Sequence, residues 1–149
     1  MTVEIVRRGA GKRFRDPQLK AIAADLLALL DQRGKVLAVA LIGDREMRRL
    51  NRRHRKQDKT TDVLSFPSEE RLPEGGVLLG DVIISVEQAR RQARQRKRPL
   101  EAEIVTLLIH GVLHLLGYDH ERSRREARIM GDLERKLLAA LCERGRLRV

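Results

Sequence analysis

Three histidines lie in the run His110-Gly111-Val112-Leu113-His114-Leu115-Leu116-Gly117-Tyr118-Asp119-His120. His110 and His114 are four residues apart, so in a helix of about 3.6 residues per turn their side chains stack on one face. That places two imidazoles close enough to share an ion. Gly117 follows the last apolar turn, where a glycine can take the left-handed conformation that reverses the chain and brings His120 back towards the other two. Three imidazoles hold a zinc ion with its fourth position open, and an open position that takes water separates a catalytic zinc from a closed structural one.

Three of the four histidines in the chain fall within this run, which is hard to reconcile with unrelated core or surface residues. Their order, H-x3-H-x2-G-x2-H, reproduces the zincin-like spacing of the metzincin motif with one departure. Gly111 stands where those proteases carry the glutamate that acts as general base. The ligands of such a site are present, and the protease's base is not. The fourth histidine, His54, is not needed as a ligand once three are supplied.

The elements that must position these groups follow from the apolar spacing. Val3 to Val6 reads as a short strand. Asp16-Pro17 opens a helix running through Leu19, Ile22, Leu26 and Leu30 to Gly34. Val36 to Ile42 reads as a buried strand, and Asp44 as the cap of a helix reaching about His54. Val63 to Phe66 and Val77 to Ser85 are further strands. Ser85 with Gln88 forms a capping box for a charged helix ending before Pro99. Pro99 starts the apolar helix that carries His110 and His114, and Ser123 with Glu126 opens a last helix ending near Gly145. This order predicts an α+β fold, one domain over residues 1–149, with a small mixed sheet, helices packed on it and a central apolar metal-binding helix. Glu69 to Gly76, with Pro73 and a Gly-Gly pair, is the expected mobile loop.

With 149 residues the chain can bury a substantial core. Its 32 lysines and arginines against 21 acidic residues leave a net charge of +11, which favours a polyanionic partner such as nucleic acid. Only Phe14, Phe66 and Tyr118 are aromatic, too few for a base-stacking platform, so recognition should rest on phosphate contacts. The single cysteine, Cys142, cannot form an internal disulfide and fits a reducing compartment. The longest apolar stretch, Ile104 to Leu116, is interrupted and too short to span a bilayer, and the first residues lack a signal-peptide core. A soluble, cytoplasmic protein without membrane partners is expected.

A second constellation runs from Leu50 to Pro67. Arg48, Arg49, Arg52, Arg53 and Lys56 suit either a solvated helix face or phosphate binding. Arg55 lies where a helix gives way to a turn before a strand, a place from which a planar guanidinium could reach a phosphate beside the metal.

Together the His110-to-His120 run, the Thr61-Asp62-Val63-Leu64-Ser65-Phe66-Pro67 strand and the Gly80-Asp81-Val82-Ile83-Ile84-Ser85 strand resemble the YbeY family of bacterial endoribonucleases and rRNA maturation factors over nearly the whole chain. The resemblance implies a metal-dependent, single-strand-specific endoribonuclease acting in ribosomal RNA maturation, including the 3′ end of small-subunit RNA, and in ribosome quality control. Single-stranded RNA and the ribosome or its small subunit are the implied partners. The family's zinc ligands carry over onto His110, His114 and His120, with one zinc ion per chain, and its functionally important arginine onto Arg55. The catalytic candidates are Arg55 and His114; candidate substrate contacts are Arg52, Lys56 and Lys59. The basic turn departs from the family, with His54 where tyrosine is frequent, Gln57 where lysine is common and Thr60 where proline usually precedes the threonine.

A zinc ion on three imidazoles could activate water near neutral pH or act as a Lewis acid on a phosphate oxygen, with Arg55 stabilising developing charge. Water and the RNA 2′-hydroxyl both stand as nucleophiles. Asp119 is expected to orient a ligand imidazole rather than to act as base. Two other functions share parts of the pattern: a ribosome-binding assembly factor with a structural zinc, and a metallopeptidase-like hydrolase, the latter undercut by Gly111.

Overall fold

A computed structural model describes residues 2–148. The β-branched and aliphatic runs form strands β1 (Val3–Arg7), β2 (Lys35–Ile42), β3 (Val63–Pro67) and β4 (Val77–Ser85). The segments of helical spacing form α1 (Leu19–Leu29), α2 (Asp44–Arg55), α3 (Val86–Arg96), α4 (Leu100–Leu115) and α5 (Arg124–Glu143). The sheet order is β1-β2-β4-β3. β2 runs parallel to β1 and β4, and β3 is antiparallel to β4, so the expected α+β fold with a mixed sheet is the one observed.

Alternation along the strands sorts the core into two parts. Leu37, Val39 and Leu41 of β2 with Val82 and Ile84 of β4 face the main core, formed with α1, α4 and α5. Ile42 and Leu64 face the other side, where Met47 of α2 covers them together with Ala40, Phe66 and Ile83. α4 is the most enclosed helix: eleven of its residues are buried, including Ile104, Leu108 and Val112. No helix among the described residues is long and apolar enough to cross a membrane.

The close approach of α4 to the sheet depends on Gly111. A Cβ there would lie 2.7 Å from Val82 Cγ1 and 3.1 Å from Cγ2, so a side chain at the position where a metzincin has its glutamate would force Val82 to move. The start of α4 is anchored by the buried Glu103, whose carboxylate accepts two hydrogen bonds from Arg96 Nη1, at 2.9 and 3.1 Å, and lies 3.4 Å from Arg98 Nε. An acid in the first turn also complements the helix dipole, and this ion pair ties α3 to α4.

Three local expectations are corrected. Asp16-Pro17 does not begin α1: Asp16 Oδ1 accepts the Gln18 N–H at 2.8 Å in a preceding turn, and the helix starts at Leu19 and ends at Leu29, before Gly34. Asp44 does not cap α2, because Gly43 holds that position. The Asp44 carboxylate instead accepts hydrogen bonds from Ser85 Oγ at 2.9 Å and Thr60 Oγ1 at 3.2 Å, while Glu87 of α3 receives the Asp44 N–H at 2.9 Å. Ser85 does cap α3, accepting the Gln88 N–H at 3.2 Å. Its own N–H goes to Asp62 O at 2.9 Å, so the box is not reciprocal. The 69–76 loop is closed by bonds from Leu72 N–H to Gly76 O and from Leu78 N–H to Glu70 O, at 3.0 and 2.8 Å. A short 3-10 helix, Gly9–Arg13, has no apolar periodicity to announce it.

Replacing Gly111 by alanine should overpack the α4–β4 contact and cost about 1–3 kcal/mol. Denaturant unfolding checks this, and adding Val82→Ala should recover part of the loss, because the two sites share one contact.

Candidate metal centre and cleft

His110 and His114 stand one turn apart near the end of α4. The helix closes as the glycine predicts: Gly117 has φ +97°, its N–H reaches His114 O at 3.0 Å and the Tyr118 N–H reaches Leu113 O at 3.1 Å, which is a Schellman ending. The chain then turns through Asp119, whose Oδ1 accepts the Glu121 N–H at 2.9 Å, and delivers His120 to the other two rings. Ring centroids are 4.7 Å apart for His110 and His114, 5.1 Å for His110 and His120, and 5.4 Å for His114 and His120. One ligand nitrogen from each lies within 4.8 Å of the others.

These residues fit a metal ion. His110 Nε2 and His114 Nε2 are 3.1 Å apart, close to the roughly 3.4 Å between two nitrogens bound tetrahedrally at about 2.1 Å. Burial, followed by the neighbouring His110 and His120, lowers the pKa of His114, favouring the neutral imidazole that a metal requires. The Glu121 backbone N–H, then Arg122, His114 and His120, hold the Asp119 carboxyl below its ordinary value.

The carboxylate hydrogen-bonded to one of these rings is not Asp119; Glu121 stands 3.9 Å from His120 Nε2. Glu134 Oε2 lies 3.1 Å from His110 Nδ1, whereas Asp119 serves its own turn and pairs with Arg122 at 3.4 Å. The sequence reading missed Glu134, which comes from α5. A signal was present: Met130, Leu137 and Leu141 are the buried stripe of α5, and Glu134 occupies the gap in that stripe at helical spacing.

The histidines open onto a cleft of about 550 Å³ whose walls also include Arg55, Thr61, Asp62, Ser65 and Phe66. Arg55 ends α2, and Lys56 takes the left-handed conformation at φ +55°. The turn after it is braced. Buried Asn51 donates from Nδ2 to Lys59 O at 2.9 Å, and Asp58 accepts from Arg48 Nε at 2.9 Å. The Thr60 hydroxyl bond to Asp44 holds the position where the family usually has proline. His54 packs edge-on against Phe66, with centroids 5.0 Å apart, and is not one of the grouped histidines. Arg52, Lys56 and Lys59 are exposed and do not line the cleft. Arg52 shares a groove with Arg45, Arg48 and Arg49 on the outer side of α2, and Lys59 lies beside Asp58 and Thr60.

His114→Ala should abolish binding of about one divalent ion per chain, since two imidazoles alone make a weak site. Elemental analysis of wild type and variant after identical dialysis measures it; equal metal in both would exclude this cluster.

The family model of endoribonuclease YbeY matches residues 9–142. A relative described as endoribonuclease YbeY from Anaeromyxobacter sp. (strain Fw109-5) is 46% identical over 138 residues, which cover 91% of this chain and 71% of that protein. One of the same description from Myxococcus xanthus is 48% identical over 143 residues, covering 94% of this chain but 47% of that longer protein. The solution structure of TM1509 from Thermotoga maritima superposes with a TM-score of 0.67 at 27% identity, covering 97% of this chain and 92% of that one. A match through the sheet, the basic turn and the histidine run makes this chain a member of the endoribonuclease YbeY family.

Proposed function

We propose that this chain is a metal-dependent, single-strand-specific endoribonuclease of ribosomal RNA maturation, including the 3′ end of small-subunit RNA, and of ribosome quality control. The observation that carries the reading is the convergence of Arg55 and the three histidines on one cleft. Family membership supplies the class of reaction. Zinc is the proposed ion, one per chain, because an all-nitrogen donor set suits its tetrahedral preference. Bound there, it would supply Lewis acidity and an activated water.

The chain's own residues do the rest. Arg55 offers a guanidinium that is charged at any physiological pH and whose planar donors match phosphate oxygens, where charge builds up in phosphodiester cleavage. Gly111 supplies no base beside His110, and a side chain there would force Val82 to move, which argues against the peptidase chemistry that its spacing otherwise suggests. The outer groove of Arg45, Arg48, Arg49 and Arg52 leads along α2 to Arg55. Arg48 and Arg52 share the single acid Asp58, so this face keeps a positive excess that suits flanking RNA phosphates. Arg52, Lys56 and Lys59 serve as backbone contacts outside the cleft. A protein that acts on ribosomal RNA and the small subunit would work in the cytoplasm.

Arg55→Ala should retain its metal and fold while losing about two orders of magnitude or more in RNA cleavage, the scale for removing a donor to transition-state charge. Arg55→Lys should rescue poorly. Single-turnover cleavage of a labelled single-stranded RNA at matched metal content decides it, and an alanine variant within a few-fold of wild type would remove the assignment.

Affinity for single-stranded RNA, measured with a chelator present to stop cleavage, should fall steeply with salt, with a log-log slope of about −0.7 per phosphate contacted. Arg45→Gln combined with Arg49→Gln should flatten that slope. Protein substrates should stay intact; proteolysis sensitive to chelation, with no cleavage of RNA, would overturn the nuclease reading.

A further inference from the structure

We propose that Glu134 is a positioning residue of the metal centre, whose carboxylate fixes His110 in the tautomer that presents Nε2 to the ion. The inference rests on the metal-dependent reading of the cleft and deepens it. An ionised carboxylate only accepts hydrogen bonds, so the 3.1 Å contact between Glu134 Oε2 and His110 Nδ1 puts the proton on Nδ1. In the neutral ring, Nε2 then carries the lone pair. That lone pair faces His114 Nε2 across 3.1 Å, so it is aimed at the point where the paired rings would hold an ion.

Two further observations separate this role from ordinary surface pairing. His110 is the only one of the three rings whose Nδ1 has a hydrogen-bond partner among the described residues, so the ring is oriented through Glu134. Glu134 in turn has no other polar partner among those residues. Its cationic neighbours around a cavity of about 240 Å³, Arg98 and Arg135, are engaged elsewhere. Arg98 binds Ala102 O at 3.2 Å and pairs with Glu103, and Arg135 pairs with Asp132. The carboxylate of Glu134 is therefore directed at His110 alone, whose ring it holds in place. Glu134 does not line the cleft, so it acts through His110 and touches no substrate.

The test compares wild type with Glu134→Ala and Glu134→Gln, using zinc alone in competition with a chromophoric chelator, the cobalt-substituted absorption spectrum, and the melting temperature of the metal-free protein. Alanine should weaken zinc binding by about 10–100-fold, the usual effect of losing such a partner, and change the cobalt spectrum while leaving metal-free melting unaltered. Glutamine, whose amide oxygen accepts the same bond, should retain more affinity than alanine. Zinc binding by the alanine variant as tight as wild type would overturn the proposal. So would equal losses in both variants accompanied by lower metal-free melting, which mark a packing role. Failure of wild type itself to bind zinc would instead remove the metal reading on which the proposal rests.

Discussion

Contact between α4 and β4 at Gly111 sets the position of the other groups in the cleft, because the distance between helix and sheet is the distance between the histidines and the cleft's opposite wall. With Val82 already within 3 Å of where a Cβ would sit, the helix lies as near the sheet as its backbone permits. Packing of this density resists even one added methyl group. The same contact settles a chemical question. A helix drawn in this far keeps the paired histidines of a zincin-like motif and could take its glutamate only by displacing Val82.

Around this contact, three carboxylates brace the fold while most arginines remain on its surface. Glu103 anchors the start of α4 through Arg96 and Arg98. Asp44 joins α2 to β4, to the basic turn and to Arg91 of α3. Asp58 steadies the turn after Arg55. Asp44 reaches far along the chain to Ser85 and Arg91, whereas Glu103 and Asp58 brace neighbouring segments. The +11 net charge therefore appears as an outward-facing excess of guanidinium groups, the distribution expected where a polyanion is drawn to a cleft by long-range attraction and then held by short-range contacts.

The basic turn shows how one local feature can be held by different chemistry. Proline would restrict the backbone by its ring. Here the Thr60 hydroxyl bonds to Asp44, and Asn51 holds the Lys59 carbonyl from beneath. Both bonds converge on the segment that follows Arg55. The end of α2 is thus positioned by side chains from its own buried face, so the orientation of Arg55 and the packing of Met47 and Asn51 are parts of one arrangement.

Much of the fold was legible in the residues because its elements have strong local periodicity: the alternating strands, the apolar α4 and the serine caps of α3 and α5 all stand where spacing placed them. The histidine cluster was equally legible, since a four-residue step and a helix-ending glycine bring three rings together within a single stretch of chain. The placement of Arg55 beside that cluster came from its position at a helix end before a strand and from likeness to a family, and the fold supplied the cleft that joins them. Asp44 was misjudged for a related reason: its partners, Ser85 and Glu87, lie on other elements and compete with the local cap. Glu134 was not seen at all, being separated from His110 by a turn and half of α5. By itself the sequence determined the elements, the histidine triad and the basic character, all of which follow from short-range spacing and composition. Only the tertiary structure decided which carboxylate meets which imidazole and which arginines enter the cleft, because those pairings depend on how close buried faces can pack, a three-dimensional constraint that no one-dimensional period contains.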